Sequence, residues 1–158
     1  MSQTIEERIA ELGYELPEVA APVANFLPLV RTGNQVFLSG QIPQAKGGGF
    51  LTGRLGDDVS KEDGQSIARQ LGLQLLAVLL KDFPRLEDIT RVLKINAYVN
   101  STPDFVEQPF VTNGCSDLMV EVWGERGKHA RAAIGVASLP LDVPIEIDAL
   151  FEVRDETA

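Results

Sequence analysis

The stretch HARAAIGVASLPLDVPIEID, residues 129–148, sets two short apolar runs on either side of a Leu-Pro-Leu-Asp turn. Short apolar runs that flank a turn predict a hairpin from a protein core. Arg131 nevertheless opens the first run, and Glu146 and Asp148 lie within the second. Since charged side chains on a buried face need a partner or a ligand, this stretch predicts both part of a sheet and a candidate site.

The alternation of side chains along a strand predicts which residues of this hairpin share a face. The core face of the first strand is expected to carry Ala132, Ile134 and Val136, and its opposite face Arg131, Ala133, Gly135 and Ala137. The core face of the last strand is expected to carry Ile145, Ile147, Ala149, Phe151 and Val153, and its opposite face Glu146, Asp148 and Glu152. A turn near Pro140 then pairs Gly135 with Glu146. Arg131 and Glu146 thereby share a face, with roughly 13 Å between their backbones.

The pair of Arg131 and Glu146 suits a small carboxylic acid. An arginine fork binds a carboxylate through two parallel hydrogen bonds. A glutamate can hold and polarise a water molecule as a general base. The two residues together predict a substrate held at one end and attacked by water at the other. A salt bridge across the sheet or across a subunit interface is the structural alternative, because structural ion pairs outnumber catalytic ones.

Composition narrows the possible partners. The chain has 158 residues, enough for one core, and no internal repeat or linker, which predicts a single domain over 1–158 with an N-terminal helical extension over 1–20. A net charge of −9 and the lack of a Lys/Arg cluster argue against a nucleic-acid partner. One Cys and one His disfavour a zinc site. The absence of an apolar leader or of roughly 20 consecutive apolar residues predicts a cytoplasmic protein with no membrane partner.

Periodicity predicts an α+β fold. The expected order is helix, one or two strands, helix, strand, helix, strand, strand. The expected ranges are a helix over Ile5–Leu12, a strand over Val36–Ser39, a long helix capped by Ser60, a strand over 91–99 with Leu93, Ile95, Ala97 and Val99 buried, a helix within Asp104–Glu125, and strands over Ala130–Ser138 and Val143–Val153. Two main helices on one face of a mixed sheet are the simplest packing. Because so short a chain has little left to cover the other face, self-association is expected.

Two segments, VFLSGQIP and ARAAIGVASLPLDVPIEID, resemble the signature segments of the Rid (reactive intermediate deaminase) superfamily, also called YjgF-like or endoribonuclease L-PSP. The resemblance covers roughly residues 22–153, and the segment from Val99 to Arg131 is similar to a longer bacterial subgroup. It implies a chorismate-mutase-like fold and a homotrimer with clefts between subunits. It also implies hydrolysis of 2-imino or enamino acids to 2-oxo acids and ammonia, with no cofactor or metal.

The resemblance also implies roles for individual residues. Arg131 would hold the substrate carboxylate, helped by the backbone N–H of Gly40 beside Ser39. Glu146 and a backbone carbonyl near Ala133 would position the water.

Three positions depart from the family pattern. Phe26 replaces the cleft tyrosine, Ala133 replaces a cysteine, and His129 replaces a proline. Asn113 on the second long helix is expected to serve a cap or an interface. Three functions therefore stay open: an imine deaminase, a non-catalytic trimer that binds small carboxylates, and an endoribonuclease.

Overall fold

The computed structural model describes residues 2–22 and 24–155, so the two ends of the predicted 1–158 domain lie outside the described residues. The regular elements, in chain order, are α1 (Ile5–Glu11), β1 (Leu29–Thr32), β2 (Gln35–Gln41), α2 (Lys61–Leu79), β3 (Ile89–Asn100), α3 (Gln108–Trp123), β4 (Ala130–Val136) and β5 (Ile145–Val153). This arrangement confirms the predicted α+β class and the predicted order of elements.

Local signals set the helix limits. Thr4 caps α1 with a capping box, and Gly13 follows the helix at φ +83°, a left-handed conformation that suits glycine. The Ser60 side chain accepts a hydrogen bond from the backbone N–H of Asp63 at 3.1 Å, which confirms the predicted cap of α2. The α3 helix begins at Gln108, with a proline in its first turn, and lies within the segment from Asp104 to about Glu125 that was predicted to contain it.

The sheet order is β1-β2-β5-β3-β4. β5 pairs antiparallel with both β2 and β3, whereas β4 pairs with β3 in parallel at the edge of the sheet. The predicted hairpin of β4 with β5 is therefore wrong, since β3 separates them and Gly135 faces Val99 instead of Glu146. A short apolar run gives no information about which strand it pairs with, and the turn signal at Pro140 belongs to a crossover.

The two faces of the sheet differ. Helices α2 and α3 pack on one face, over buried residues that include Ile95, Val99, Ile147 and Phe151. On β3 the ladder shifts between Val92 and Lys94, so Val92 is buried and Leu93 only partly so, contrary to the predicted alternation. The opposite face carries no helix formed by the described residues, 2–22 and 24–155. We call it the open face, and its members include Val30, Phe37, Lys94, Tyr98, Glu146, Asp148 and Leu150.

The two faces of β4 are the reverse of those predicted. Arg131 is the register partner of the buried Ile95, and its guanidinium reaches α3, so it lies on the helix side of the sheet. Ala133 and Gly135 follow it. Ile134 lies on the open face and is 47% exposed. Because β4 is an edge strand, neither of its faces is fully covered, and apolar alternation could not identify the core side.

No helix in the described ranges, 2–22 and 24–155, is long and apolar enough to cross a membrane.

Candidate functional site

Glu146 projects from β5 on the open face, next to a bulge in β2. The β2–β5 register shifts between Leu38 and Gln41, and Gly40 lies within this irregular segment. A Cβ atom at position 40 would collide with the Glu146 carboxyl group. Glycine at this position therefore makes room for the carboxyl group beside the β2 backbone.

The Glu146 carboxyl group forms no salt bridge with any residue that the structure describes. It is partly buried, and burial is the main cause that raises its pKa above the ordinary value of 4.5, with the nearby Asp148 charge adding to the effect. Asp148 differs, since its carboxylate accepts hydrogen bonds from Asn96 Nδ2 at 2.8 Å and from the Tyr98 hydroxyl at 3.2 Å. Glu146 is thus the carboxyl group whose oxygens remain available to a ligand.

Tyr98 was not identified from the sequence as part of this site. It is the direct register partner of Glu146 across the β3–β5 ladder, so the two side chains share a face. Burial is the main cause that raises the pKa of Tyr98 above its ordinary value of 10.0, followed by the charge of Asp148. The alternation of β3 did place Tyr98 on the polar face, but only the pairing of β3 with β5 reveals its neighbour. We call Gly40, Tyr98 and Glu146 the Glu146 half-site.

Ser39 and Phe26 lie in the segments beside this half-site. The Ser39 hydroxyl donates to the Leu27 carbonyl at 2.6 Å, and the Ser39 backbone N–H donates to the Pro28 carbonyl at 3.0 Å. The two hydrogen bonds of Ser39 thus hold the residues before β1 against the bulge of β2. The Ser39 hydroxyl already donates its proton and cannot also donate it to a ligand. Phe26, just before the fastened residues, is 52% exposed.

Arg131 lies in a different group of side chains, between β4 and α3. Its Nη1 donates to Asn113 Oδ1 at 2.7 Å and to Ser116 Oγ at 3.3 Å. Ser116 Oγ also lies 2.9 Å from His129 Nε2, and His129 Nδ1 lies 2.7 Å from the Gly127 carbonyl. We call Asn113, Ser116, His129 and Arg131 the Arg131 half-site.

The structure therefore divides the predicted site residues into two sets. Gly40 and Glu146 come together on the open face, whereas Arg131 and Ala133 lie on the helix side of β4. The predicted sharing of a face by Arg131 and Glu146 is wrong within one chain. Asn113, predicted as a cap or interface residue, instead binds the Arg131 guanidinium.

Neither set suggests a metal centre. No group of three His, Cys, Asp or Glu side chains within the described part of the chain could hold a metal ion. Cys115 is fully buried, and burial raises the pKa of its thiol to about 12, which leaves it protonated and unreactive.

Comparisons with known proteins give relatives along nearly the whole chain. Protein TCP17 of Trypanosoma cruzi is 41% identical over 155 residues, which span 98% of this chain and 97% of that protein. A 2-iminobutanoate/2-iminopropanoate deaminase of Dermatophagoides farinae is 27% identical, with 87% and 93% covered. A crystal structure of a "putative endoribonuclease" from Shewanella oneidensis superimposes with a TM-score of 0.89 at 32% identity, over 96% of this chain and all of that one.

The model of one protein family matches residues 6–152, a range that includes both half-sites and every strand residue except Val153, the last residue of β5. The chain thus belongs to the family described as "YjgF/chorismate mutase-like, putative endoribonuclease".

Proposed function

We propose that this protein is a homotrimeric deaminase that hydrolyses reactive 2-imino or enamino acids to 2-oxo acids and ammonia. The active cleft lies between two copies of the chain, and the Arg131 half-site of one copy faces the Glu146 half-site of the next. The name of the 27% identical relative from Dermatophagoides farinae supports the choice of reaction.

The proposal rests on one observation, the kind of partner that each of the two charged side chains has. Within the residues described, Arg131 is bound by neutral side chains, and Glu146 has no cationic partner. A structural salt bridge between them inside one chain is therefore ruled out. A guanidinium held by neutral acceptors keeps its full charge for an anionic ligand, and a carboxyl group with a raised pKa is a better base than an ordinary one.

Assembly follows from the position of these groups in the sheet. The half-sites lie on opposite sides of the sheet, so a single chain cannot bring them to one ligand. The open face also exposes apolar side chains, since Val30 is 50% exposed and Phe37 46% exposed. Covering this face with a second copy would bury these side chains and could bring Glu146 towards the edge strand of a neighbour.

The proposed reaction needs only water and proton transfers. Arg131 holds the substrate carboxylate, and Glu146 accepts a proton from a water molecule as the water oxygen attacks the C=N carbon. Glu146 returns this proton to the nitrogen, which gives a carbinolamine. The hydroxyl proton of the carbinolamine then passes to the amino group as the C–N bond breaks, and ammonia and a 2-oxo acid are released. Orientation and fixed charges supply most of the rate gain in such a mechanism.

Paired substitutions in the two neighbouring carboxylates test the proposal. Imines generated in place by an amino-acid oxidase serve as substrates, and ammonia release is measured. Glu146→Gln should lower the rate by about 10²–10⁴-fold, the usual contribution of a general base. Asp148→Asn is the matched control, which should keep most of the rate because the Asp148 oxygens are already used by Asn96 and Tyr98. Equal losses in both variants would show that Glu146 is not the base.

A second function, binding of small carboxylates without catalysis, is favoured by one feature. Phe26 has no hydroxyl where the family pattern has a tyrosine. Calorimetric titration with 2-oxobutyrate separates the two functions. If the protein is a deaminase, Glu146→Gln should bind 2-oxobutyrate with wild-type affinity but release ammonia slowly. If it is a binding protein, the wild type should bind 2-oxobutyrate but release no ammonia from imines.

Endoribonuclease activity, which the family description mentions, finds little support in this chain. The net charge is −9, and a nuclease must attract a polyanion. The chain has a single histidine, His129, so it has no histidine cluster that would activate a 2′-hydroxyl.

A further inference from the structure

The Arg131 half-site contains a serine and a histidine in the arrangement of an activated nucleophile. Ser116 Oγ and His129 Nε2 are 2.9 Å apart, and His129 Nδ1 is 2.7 Å from the Gly127 carbonyl oxygen. A nucleophile beside a base, with the base oriented by a third group, is the pattern shared by serine hydrolases. Here a backbone carbonyl takes the place of the orienting carboxylate.

The hydrogen bonds fix the direction of the proton. A carbonyl oxygen can only accept, so the proton of neutral His129 is on Nδ1 and donates to Gly127. Nε2 is then an acceptor, and the Ser116 hydroxyl must donate to it. Burial is the main cause that lowers the pKa of His129 below its ordinary value of 6.5, so the imidazole is neutral at pH 7.

The pair opens onto a cavity that contains the Arg131 guanidinium, while Lys128, which also lines it, is paired with Glu125 at 2.6 Å. The cavity has a volume of about 230 Å³ and is lined by Ser116, Val120, Lys128, His129 and Arg131. Within the described residues, both hydrogen bonds of the Arg131 guanidinium run from Nη1, so the remaining nitrogens are open to an anionic group. The Nη1 bond to Ser116 also places positive charge beside the hydroxyl oxygen, where it favours a developing anion.

We propose that Ser116 and His129 form a second catalytic site, which hydrolyses small carboxylic esters that carry an additional carboxylate group. The ester carbonyl is attacked at Ser116, and the additional carboxylate is held by Arg131.

The reaction balances with water as the only co-reactant. Ser116 Oγ bonds to the ester carbonyl carbon while its proton passes to His129 Nε2. The ester C–O bond then breaks, and the leaving alcohol takes that proton. In the second half, water gives a proton to His129 Nε2 and attacks the acyl-serine. His129 then returns this proton to Ser116 Oγ as the acyl–Oγ bond breaks, which releases the carboxylic acid and restores the Ser116 hydroxyl.

A pair of aryl esters tests the site without any imine. The probe 4-acetoxybenzoate carries a carboxylate, and its methyl ester is the neutral match. The wild type should hydrolyse 4-acetoxybenzoate at least about 10-fold faster than the methyl ester. His129→Gln can still hydrogen-bond to Ser116 but cannot act as a base, so it should lower the rate by about 10²-fold or more, as should Ser116→Ala.

Covalent labelling identifies the nucleophile independently. A fluorophosphonate should modify Ser116 of the wild type, as located by peptide mass mapping, and should not modify His129→Gln at a comparable rate. Ser66→Ala is the matched control, because Ser66 is a helical serine whose hydroxyl bonds to the Glu62 carbonyl and has no histidine beside it. Melting temperatures close to that of the wild type show that the variants fold. Ester hydrolysis or labelling that is unchanged in Ser116→Ala, or absent from the wild type, would overturn the proposal and leave the pair as a support for Arg131.

Discussion

At the scale of single residues, the raised pKa of the Glu146 carboxyl group makes the stability of the fold depend on pH. Its pKa in the folded chain lies above the ordinary value of 4.5, mainly because of burial. Folding therefore favours the protonated form, and the stability that this form provides is complete below pH 4.5 and is lost as the pH rises through the higher, folded-state pKa. An ionised Glu146 at neutral pH thus destabilises the fold.

The destabilising effect of ionised Glu146 gives the first prediction. Glu146→Gln cannot ionise, so at pH 7 the variant should melt at a higher temperature than the wild type. The gain should be small, because Glu146 is only partly buried and solvent screens its charge. At pH 4 the two melting temperatures should converge, because wild-type Glu146 is then protonated as well. Differential scanning calorimetry at both pH values measures the difference, and a variant that melts lower at pH 7 would show that the ionised carboxylate is stabilised by a partner.

Gly40 provides a second prediction at this scale. The Cβ atom of Gly40→Ala would collide with the end of the Glu146 side chain, which is flexible, and not with backbone. The carboxyl group should therefore move while the fold stays intact. Ammonia release should fall by at least about 10-fold, since small displacements of a catalytic group have large effects, and the melting temperature should change little. A variant with full activity would show that the position of the Glu146 carboxyl group is not critical.

At the scale of elements, the contact between α2 and α3 depends on glycines. A Cβ atom at Gly114 would collide with the backbone carbonyl of Gln65 on α2, whereas one at Gly72 would lie 2.9 Å from Leu118 Cδ2, the end of a side chain. Gly114→Ala should therefore force the helices apart and destabilise the fold by about 1–3 kcal/mol. Gly72→Ala is the matched control. It should be nearly neutral, because a side chain can shift and alanine favours a helix by about 1 kcal/mol. Urea unfolding of both variants measures the contrast.

The helices and strands also differ in how much of their structure could be predicted from the sequence. The Ser60 cap, the Gly13 stop and the long apolar stripe of α2 are local signals, and the structure contains each of them. The faces of β4 could not be predicted, because an edge strand of small residues alternates without a clear core side. The register shift that buries Val92 in place of Leu93 arises from the pairing of β3 with β5. Such a pairing cannot be predicted from the sequence of β3 alone. Arg131 and Glu146 could be predicted as candidate site residues by residue type, but their separation on two faces of the sheet depends on strand order.

At the scale of the whole molecule, the open face should be an assembly surface. Light scattering of the wild type at micromolar concentration should give about three times the 17.2 kDa mass of one chain. Phe37→Glu places a charge on this face and should give a single-chain mass, because an unpaired charge is not tolerated in a dry interface. Val106→Glu is the control, since Val106 is 77% exposed in the loop between β3 and α3, away from the open face. A single-chain mass for the wild type would contradict both the assembly and the shared cleft.

The central position of β5 in the sheet has a consequence for folding during synthesis on the ribosome. β5 is the last strand in chain order, yet it lies between β2 and β3 and pairs with both. Until residues 145–153 have left the exit tunnel, β2 and β3 each present an unpaired edge, and α2 and α3 have only part of a sheet to cover. Such long-range pairing is slow to form and exposes strand edges to aggregation. The sheet must therefore wait for residues 145–153 before it can close, and a ribosome that stalls before residue 145 leaves a polypeptide suited to chaperone capture or degradation.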